Sequence, residues 1–228
     1  QLLIVLITGL VVGLILVFQR SATPLALEST PSPVTGGSFT EALAGEIIRL
    51  NPALDRFNQP DRDVDRLIFS SLIKFDSRGL PVGDLAADWE VSSEGTRYVV
   101  NLRENAVWHD GTPLTSQDVL YTVSLLQSSS SLVPEDLRNF WQQIQAAALS
   151  DLSLEFSLPN SFAPFLDYLT FQVLPSHLLG NLSLDELVDH PFNLAPIGTG
   201  PYRFKEFQVA DGKISGVSLE AFEYYYSG

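Results

Sequence analysis

The chain has 228 residues and a hydrophobic share of 45%, enough for a packed core in one or two domains. Its 27 acidic and 13 basic residues leave a formal charge of −14, which argues against a nucleic-acid surface, because phosphate binding needs clustered Lys and Arg. With no cysteine, disulfides, thiol catalysis and Cys-ligated metals are excluded. There is also no methionine, so residues are expected upstream of Gln1.

Leu2 to Phe18 carries no charge and is followed by Gln19 and Arg20. As a helix it would be about 25 Å long, close to the thickness of a membrane hydrocarbon core. It reads as an uncleaved signal anchor or as a signal peptide without a clear Ala-x-Ala site, and either exports the rest of the chain. Residues 21–37 hold Pro24, Pro31, Pro33, Gly36 and Gly37 among Ser and Thr, the composition of a tether. The folded part, 38–228, is predicted to open with a strand at Phe39–Leu43. Leu50-Asn51-Pro52 then forces a turn or an extended exit.

A helix is predicted over Asp63–Ser71, with Val64, Leu67, Ile68 and Leu72 on one face. A short strand, Leu72–Phe75, comes next. Leu85–Val91 and Tyr98–Arg103 read as a hairpin around the turn Ser92–Gly95. Trp108-His109-Asp110-Gly111-Thr112-Pro113 reads as a strand end and tight turn. Thr115 to Asp118 is a capping box opening a helix from Ser116 to about Gln127, with Val119, Val123 and Leu126 on one face. Further short helices are expected at Pro134–Trp141, at Phe162–Leu169 and after the second capping box, Ser183 to Glu186. Leu152–Leu158 alternates cleanly and pairs most simply with Ile144–Leu149. Gly198–Phe204 is a loop entering a strand, and Val217–Tyr225 is predicted as the last strand. Hairpins with interposed helices predict a mixed α/β lobe rather than a doubly wound parallel sheet.

Few residue sets suggest chemistry. His109-Asp110 lacks a second ligand at His-x-x-x-His or similar spacing, and His177 and His190 are isolated beside prolines. They read as turn and loop residues. Glu41, Glu46, Asp61, Asp63 and Asp65 are available for a carboxylate pair, but in so acidic a chain their proximity in sequence carries little weight. Gly198-Thr199-Gly200 lacks the third glycine of a dinucleotide loop. Trp89 and Trp108 are expected in the core, whereas Trp141 is less constrained.

The words Leu102-Arg103-Glu104-Asn105-Ala106-Val107-Trp108-His109-Asp110-Gly111-Thr112-Pro113-Leu114-Thr115 and Asp118-Val119 closely resemble the signature of extracytoplasmic solute-binding proteins of the peptide/nickel family, family 5. Leu50-Asn51-Pro52, Leu85 to Val91, Leu174-Pro175-Ser176-His177, Gly198-Thr199-Gly200-Pro201-Tyr202 and Tyr224-Tyr225 extend the likeness over most of 37–228. Gly83 stands where the family usually has Pro, and family members run to about twice this length. The resemblance implies the first lobe of a two-lobed, periplasmic-binding-protein-like fold with a mixed sheet, the second lobe and return segment lying beyond this chain. It implies no enzyme and no cofactor. It implies a substrate-binding component of an ABC importer, outside the cytoplasmic membrane, with a permease and an ATPase as partners. Oligopeptides, nickel chelates or oligosaccharides would be its solutes. A membrane-anchored sensor or interaction module on the same fold is the other reading. In relatives the loop after the Asn-Pro element lies along the cleft, nominating Arg56, Phe57 and Asn58, and the Gly-Thr-Gly-Pro-Tyr element borders it, nominating Thr199. The same topology predicts that 38–228 alone would associate and bind no solute tightly.

Overall fold

The computed structural model describes residues 36–180 and 182–227. The apolar run 2–18 and most of the 21–37 tether therefore lie outside the described residues. The chain divides into Gln1–Ala42 and Leu43–Gly228. Residues 36–42 of the first unit hold no helix or strand, so the strand expected at Phe39–Leu43 is not formed. Alternating apolar residues make a strand only where a ladder partner exists, and none of the described strands pairs with this segment.

Within the second unit, helix α1 spans Gln59–Ile68. It begins four residues before the expected start, because Pro60 sets a helical φ in the first turn, where its missing N–H costs nothing. It stops when Phe69 turns extended. Val64 and Ile68 are buried as the spacing predicts, but Leu67 is 41% exposed and Leu72 lies beyond the helix. The strands β1 (Ile73–Phe75) and β2 (Pro81–Gly83) form a small hairpin.

The main sheet has the order β3-β4-β6-β5, from β3 (Ala86–Val91), β4 (Arg97–Leu102), β5 (Gln145–Ser150) and β6 (Ser153–Ser157). The expected mixed sheet is corrected: every ladder among the described residues is antiparallel. The β3–β4 and β5–β6 pairs are closed by short turns, and such turns join only antiparallel strands. Tyr98, Val100, Leu154 and Phe156 point to one face and are buried. Trp141 and Phe165 pack there, from α3 (Glu135–Trp141) and α4 (Phe165–Tyr168). Trp141, left open by the sequence, is a core residue at 1% exposure, while Trp89 is only half-buried.

Helix α2 (Ser116–Leu126) divides its side chains between two clusters. Val119 and Val123 meet the sheet core, and Tyr121 and Leu125 meet a second cluster that holds Leu50, Ile68, Phe69 and Phe192. Gln117 and Ser124 stay exposed, and the polar residues that the helix buries, Ser116, Asp118 and Thr122, are hydrogen-bonded. The short helices α5 (Ser176–Leu179) and α6 (Leu184–Leu187) and a 3-10 turn, Pro191–Leu194, close the second cluster. The last elements are β7 (Tyr202–Ala210) and β8 (Lys213–Ala221), joined at Asp211-Gly212. The last strand thus starts and ends before the predicted Val217–Tyr225. Phe222 N–H donates to Pro201 O and turns the chain, and Tyr226 enters the core instead.

Candidate solute-binding site

A cavity of about 720 Å³ opens between the Asn-Pro loop, α1, β1 and α2. Its charged lining is Asp55, Arg62, Arg66, Lys74 and Asp84. Apolar wall comes from Phe69, Phe75, Leu125 and Phe171.

Asp84 organises the β1 side. Its Oδ1 accepts from Lys74 Nζ at 3.0 Å and Tyr226 Oη at 2.8 Å, and its Oδ2 from Ser71 N at 3.1 Å. Burial and the neighbouring Asp84 charge push the Tyr226 hydroxyl well above its ordinary range, so it stays protonated and donates. Lys74 is thereby held at the cavity as a paired cation.

The Asn-Pro loop is a pair of turns. Asn51 Oδ1 accepts from Ala53 N at 3.0 Å, and Asn58 N–H donates to Asp55 O at 2.8 Å. Asn51 and Asn193 are both buried and joined side chain to side chain at 2.9 Å, which anchors the loop to the 3-10 turn. The Arg62 guanidinium donates to Asp55 O and Arg56 O. Burial raises the Asp55 carboxyl to about 7 despite Arg62 beside it.

The four residues nominated from sequence fall into two places. Arg56, Phe57 and Asn58 form the loop tip. Phe57 is 91% exposed, the Arg56 guanidinium lies 5.8 Å from its ring centre, and Asn58 Nδ2 donates to Glu46 O at 2.9 Å. Thr199 is fully buried, and its Oγ1 accepts from Ser70 N at 3.3 Å. The tip precedes α1 and Ser70 comes after it, so the two places stand about 15 Å apart by the rise of a ten-residue helix. None of the four lines the cavity.

The Gly-Thr-Gly-Pro-Tyr element is set by close backbone approach. A Cβ on Gly198 would sit 1.9 Å from Ile68 O, and Gly200 N–H donates to the same oxygen at 2.7 Å. His109 clamps the other side. Its Nδ1 accepts from Gly198 N at 3.2 Å and its Nε2 donates to Gly200 O at 3.0 Å. Burial lowers its pKa, so the neutral tautomer with the proton on Nε2 fits. His177, read as an isolated loop residue, lies instead on α5, with its Nε2 2.8 Å from Asp110 Oδ2. Burial opposes ionisation of Asp110, but His177 and the Thr112 N–H outweigh it and hold the carboxyl below its usual range. His190 caps the 3-10 turn by accepting from Phe192 N.

Sequence reasoning passed over Asp55 and did not separate Asp65 from the other acids. Asp61 and Asp65 are four apart and in phase with Val64 and Ile68, so they lie on the buried face of α1. That phase is the signal that could have found them.

The family profile "Bacterial extracellular solute-binding proteins, family 5 Middle" matches residues 81–228. The oligopeptide-binding protein AppA of Bacillus subtilis is 28% identical over 216 residues, which are 92% of this chain and 38% of that protein. The chain thus spans less than half the length of that relative. The crystal structure of NikZ from Campylobacter jejuni in complex with Ni(L-His) overlays with a TM-score of 0.67 at 31% identity, covering 80% of this chain and 35% of that one. The structure of the Bacillus subtilis protein in complex with a nonapeptide overlays with a TM-score of 0.69 at 27% identity, over 81% and 36%. On the profile match, which runs from β2 to the end of the chain and takes in the whole four-stranded sheet, this chain belongs to the bacterial extracellular solute-binding proteins of family 5.

Proposed function

We propose that this chain is part of the substrate-binding component of an ABC importer, capturing oligopeptides or related solutes outside the cytoplasmic membrane and presenting them to the permease. The observation that carries the reading is the family match, joined to folds that were solved with a nonapeptide and with Ni(L-His). In this reading residues 38–228 form one wall of a cleft that closes by a hinge against a second lobe, and the apolar run 2–18 serves as export signal or anchor. No reaction is catalysed. Arg56, Phe57 and Asn58 meet the solute from the loop tip. An exposed aromatic stacked on a guanidinium gives a flat apolar and cationic face, suited to an extended peptide backbone and its carboxylates. Thr199 contributes by holding Ser70 in place, since its own hydroxyl is buried.

The test is isothermal calorimetry of the exported product of the gene that encodes this chain, against a peptide mixture, a nickel–histidine chelate and oligosaccharides. Saturable binding of peptide is expected. Heats indistinguishable from dilution with all three would sink the transport reading. Arg56→Ala and Phe57→Ala are each expected to weaken peptide binding by about 1–2 kcal/mol, as anchor residues do. Unchanged affinity in both would move the contact surface elsewhere.

A further inference from the structure

The buried face of α1 carries two acids, and only one is accounted for. Asp61 accepts from Ile48 N at 2.9 Å and from Arg49 N at 3.3 Å. Asp65 is fully buried, and neither of its carboxyl oxygens has a hydrogen-bond partner. An ionised carboxylate left so would be strongly destabilising. The group that faces it, within hydrogen-bond reach, is a second carboxyl, Asp55, itself 7% exposed. Two adjacent buried carboxylates ionise together only at a cost, so one of them keeps its proton well above the ordinary carboxylate range. One proton resolves both defects: the Asp65 carboxyl donates it, and the Asp55 carboxylate accepts.

We propose that Asp55 and Asp65 share one proton, and that this proton latches the Asn-Pro loop onto helix α1, so that the loop's grip on a solute depends on pH. Asp55 lies one residue before the exposed tip Arg56-Phe57-Asn58 and also lines the cavity, so it has a way out. With the proton in place the loop is held from inside by Asp65 and from outside by Arg62. Without it the pair carries two negative charges, and only the Arg62 contacts and the loop's own turns remain.

The charged surroundings support this. On α1 the groups acting on the pair are Asp61, Arg62 and Arg66, and Arg49 acts on Asp61 from the lead-in segment. The Asn51 N–H favours the ionised form of Asp65, but burial and the neighbouring Asp55 and Asp61 outweigh it. The β7–β8 hairpin brings the apolar side chains Phe204, Phe207, Val217 and Leu219 to the surrounding cluster. From α2 come Leu125 and Tyr121, whose hydroxyl donates to Leu182 O. Burial is the largest cause of the upward shift in both acids, to about 7 for Asp55 and about 9 for Asp65.

The consequence for solute rests on the function proposed above; the proton does not. The experiment therefore uses the full chain without solute. Asp Cγ resonances are followed by carbon-detected NMR from pH 4 to 10. Amide exchange of residues 53–58 is measured over the same range and corrected for intrinsic rates. The pair is expected to titrate in two steps, both above pH 6, with loop protection falling at least tenfold across the later one. In Asp65→Asn the side-chain amide donates to Asp55 at every pH, so protection should stay flat. Both carboxyls titrating below pH 5, or protection falling equally in the variant, would overturn the proposal. The wild-type titration decides the matter even if the variant does not fold. Absence of solute binding in calorimetry would leave this result standing and count against the transport reading alone.

Discussion

Asp118 shows how much one side chain can carry. Its Oδ2 accepts from Thr115 N at 2.9 Å and Trp108 Nε1 at 3.3 Å, and its Oδ1 from Ser176 N at 2.8 Å and Ser176 Oγ at 2.6 Å. The capping position was legible in the Thr-x-x-Asp spacing. That the same carboxylate also starts α5 and fixes the core tryptophan was not, because Ser176 lies 58 residues away. Asp118→Ala would strand the buried Trp108 N–H and the part-buried donors of Thr115 and Ser176, and a loss of about 3–5 kcal/mol in urea unfolding is expected, against under about 1 kcal/mol for the exposed neighbour Gln117→Ala. Gly198→Ala is the second test at this scale. A Cβ 1.9 Å from the Ile68 carbonyl forces backbone to move, so a loss of about 2–4 kcal/mol is expected from the same measurement. A loss under about 0.5 kcal/mol, the level of an unconstrained surface change, would mean that the Gly-Thr-Gly-Pro-Tyr element does not seat on α1.

Among the elements, α1 and the β7–β8 hairpin depart most from a pattern-based reading. In α1 the polar residues are not all outside: Asp61 and Asp65 share the inward face with Val64 and Ile68. Apolar periodicity alone counts only the hydrophobic half of such a face. The hairpin was half recognised, since its turn signal Asp211-Gly212 lies in a stretch of weak alternation. Both turn residues have positive φ, 52° and 75°, the pairing a two-residue turn needs to match the twist of its strands. Gly212→Ala is expected to cost about 1 kcal/mol and to raise amide exchange first at Ala210 and Lys213, beside the turn. Unchanged exchange there would show that docking of Phe204 and Phe207 on the second cluster, rather than the turn, holds the hairpin.

For the molecule as a whole, stability should fall as the medium turns alkaline. Asp55 and Asp65 have folded pKa values raised above the ordinary carboxylate range, so the folded state holds more protons than the unfolded one from about pH 4 upward. Their contribution is fully present at acidic pH. It is lost as pH rises through about 7 and then about 9. His109 acts oppositely, because its lowered pKa makes stability fall on acidification below its ordinary 6.5. Above that value it is silent, and the raised tyrosines act only beyond pH 10. Between pH 7 and 9 the slope belongs mainly to Asp65, up to about 1.4 kcal/mol per pH unit for one proton. Urea midpoints at pH 7 and 9 should show this fall in the native chain and little of it in Asp65→Asn. A level profile in the native chain would mean that Asp65 is ionised and satisfied by a partner.

By itself the sequence determined the local order: the β3–β4 and β5–β6 hairpins, α2 with its cap, the second capping box, and a family signature strong enough to imply the fold. These rest on pairings no further apart than Ala86 and Leu102, on turn chemistry and on periodicity, all of which are written along the chain. Only the tertiary structure decided what faces what. It set Asp55 against Asp65, His177 against Asp110, His109 between two glycines, and Tyr226 on Asp84 across 142 residues. It also buried Thr199 and left Phe57 in the open. Contacts of this kind depend on how separate elements pack, and burial, which sets both charge state and accessibility, is a property of the packed molecule and not of any one segment.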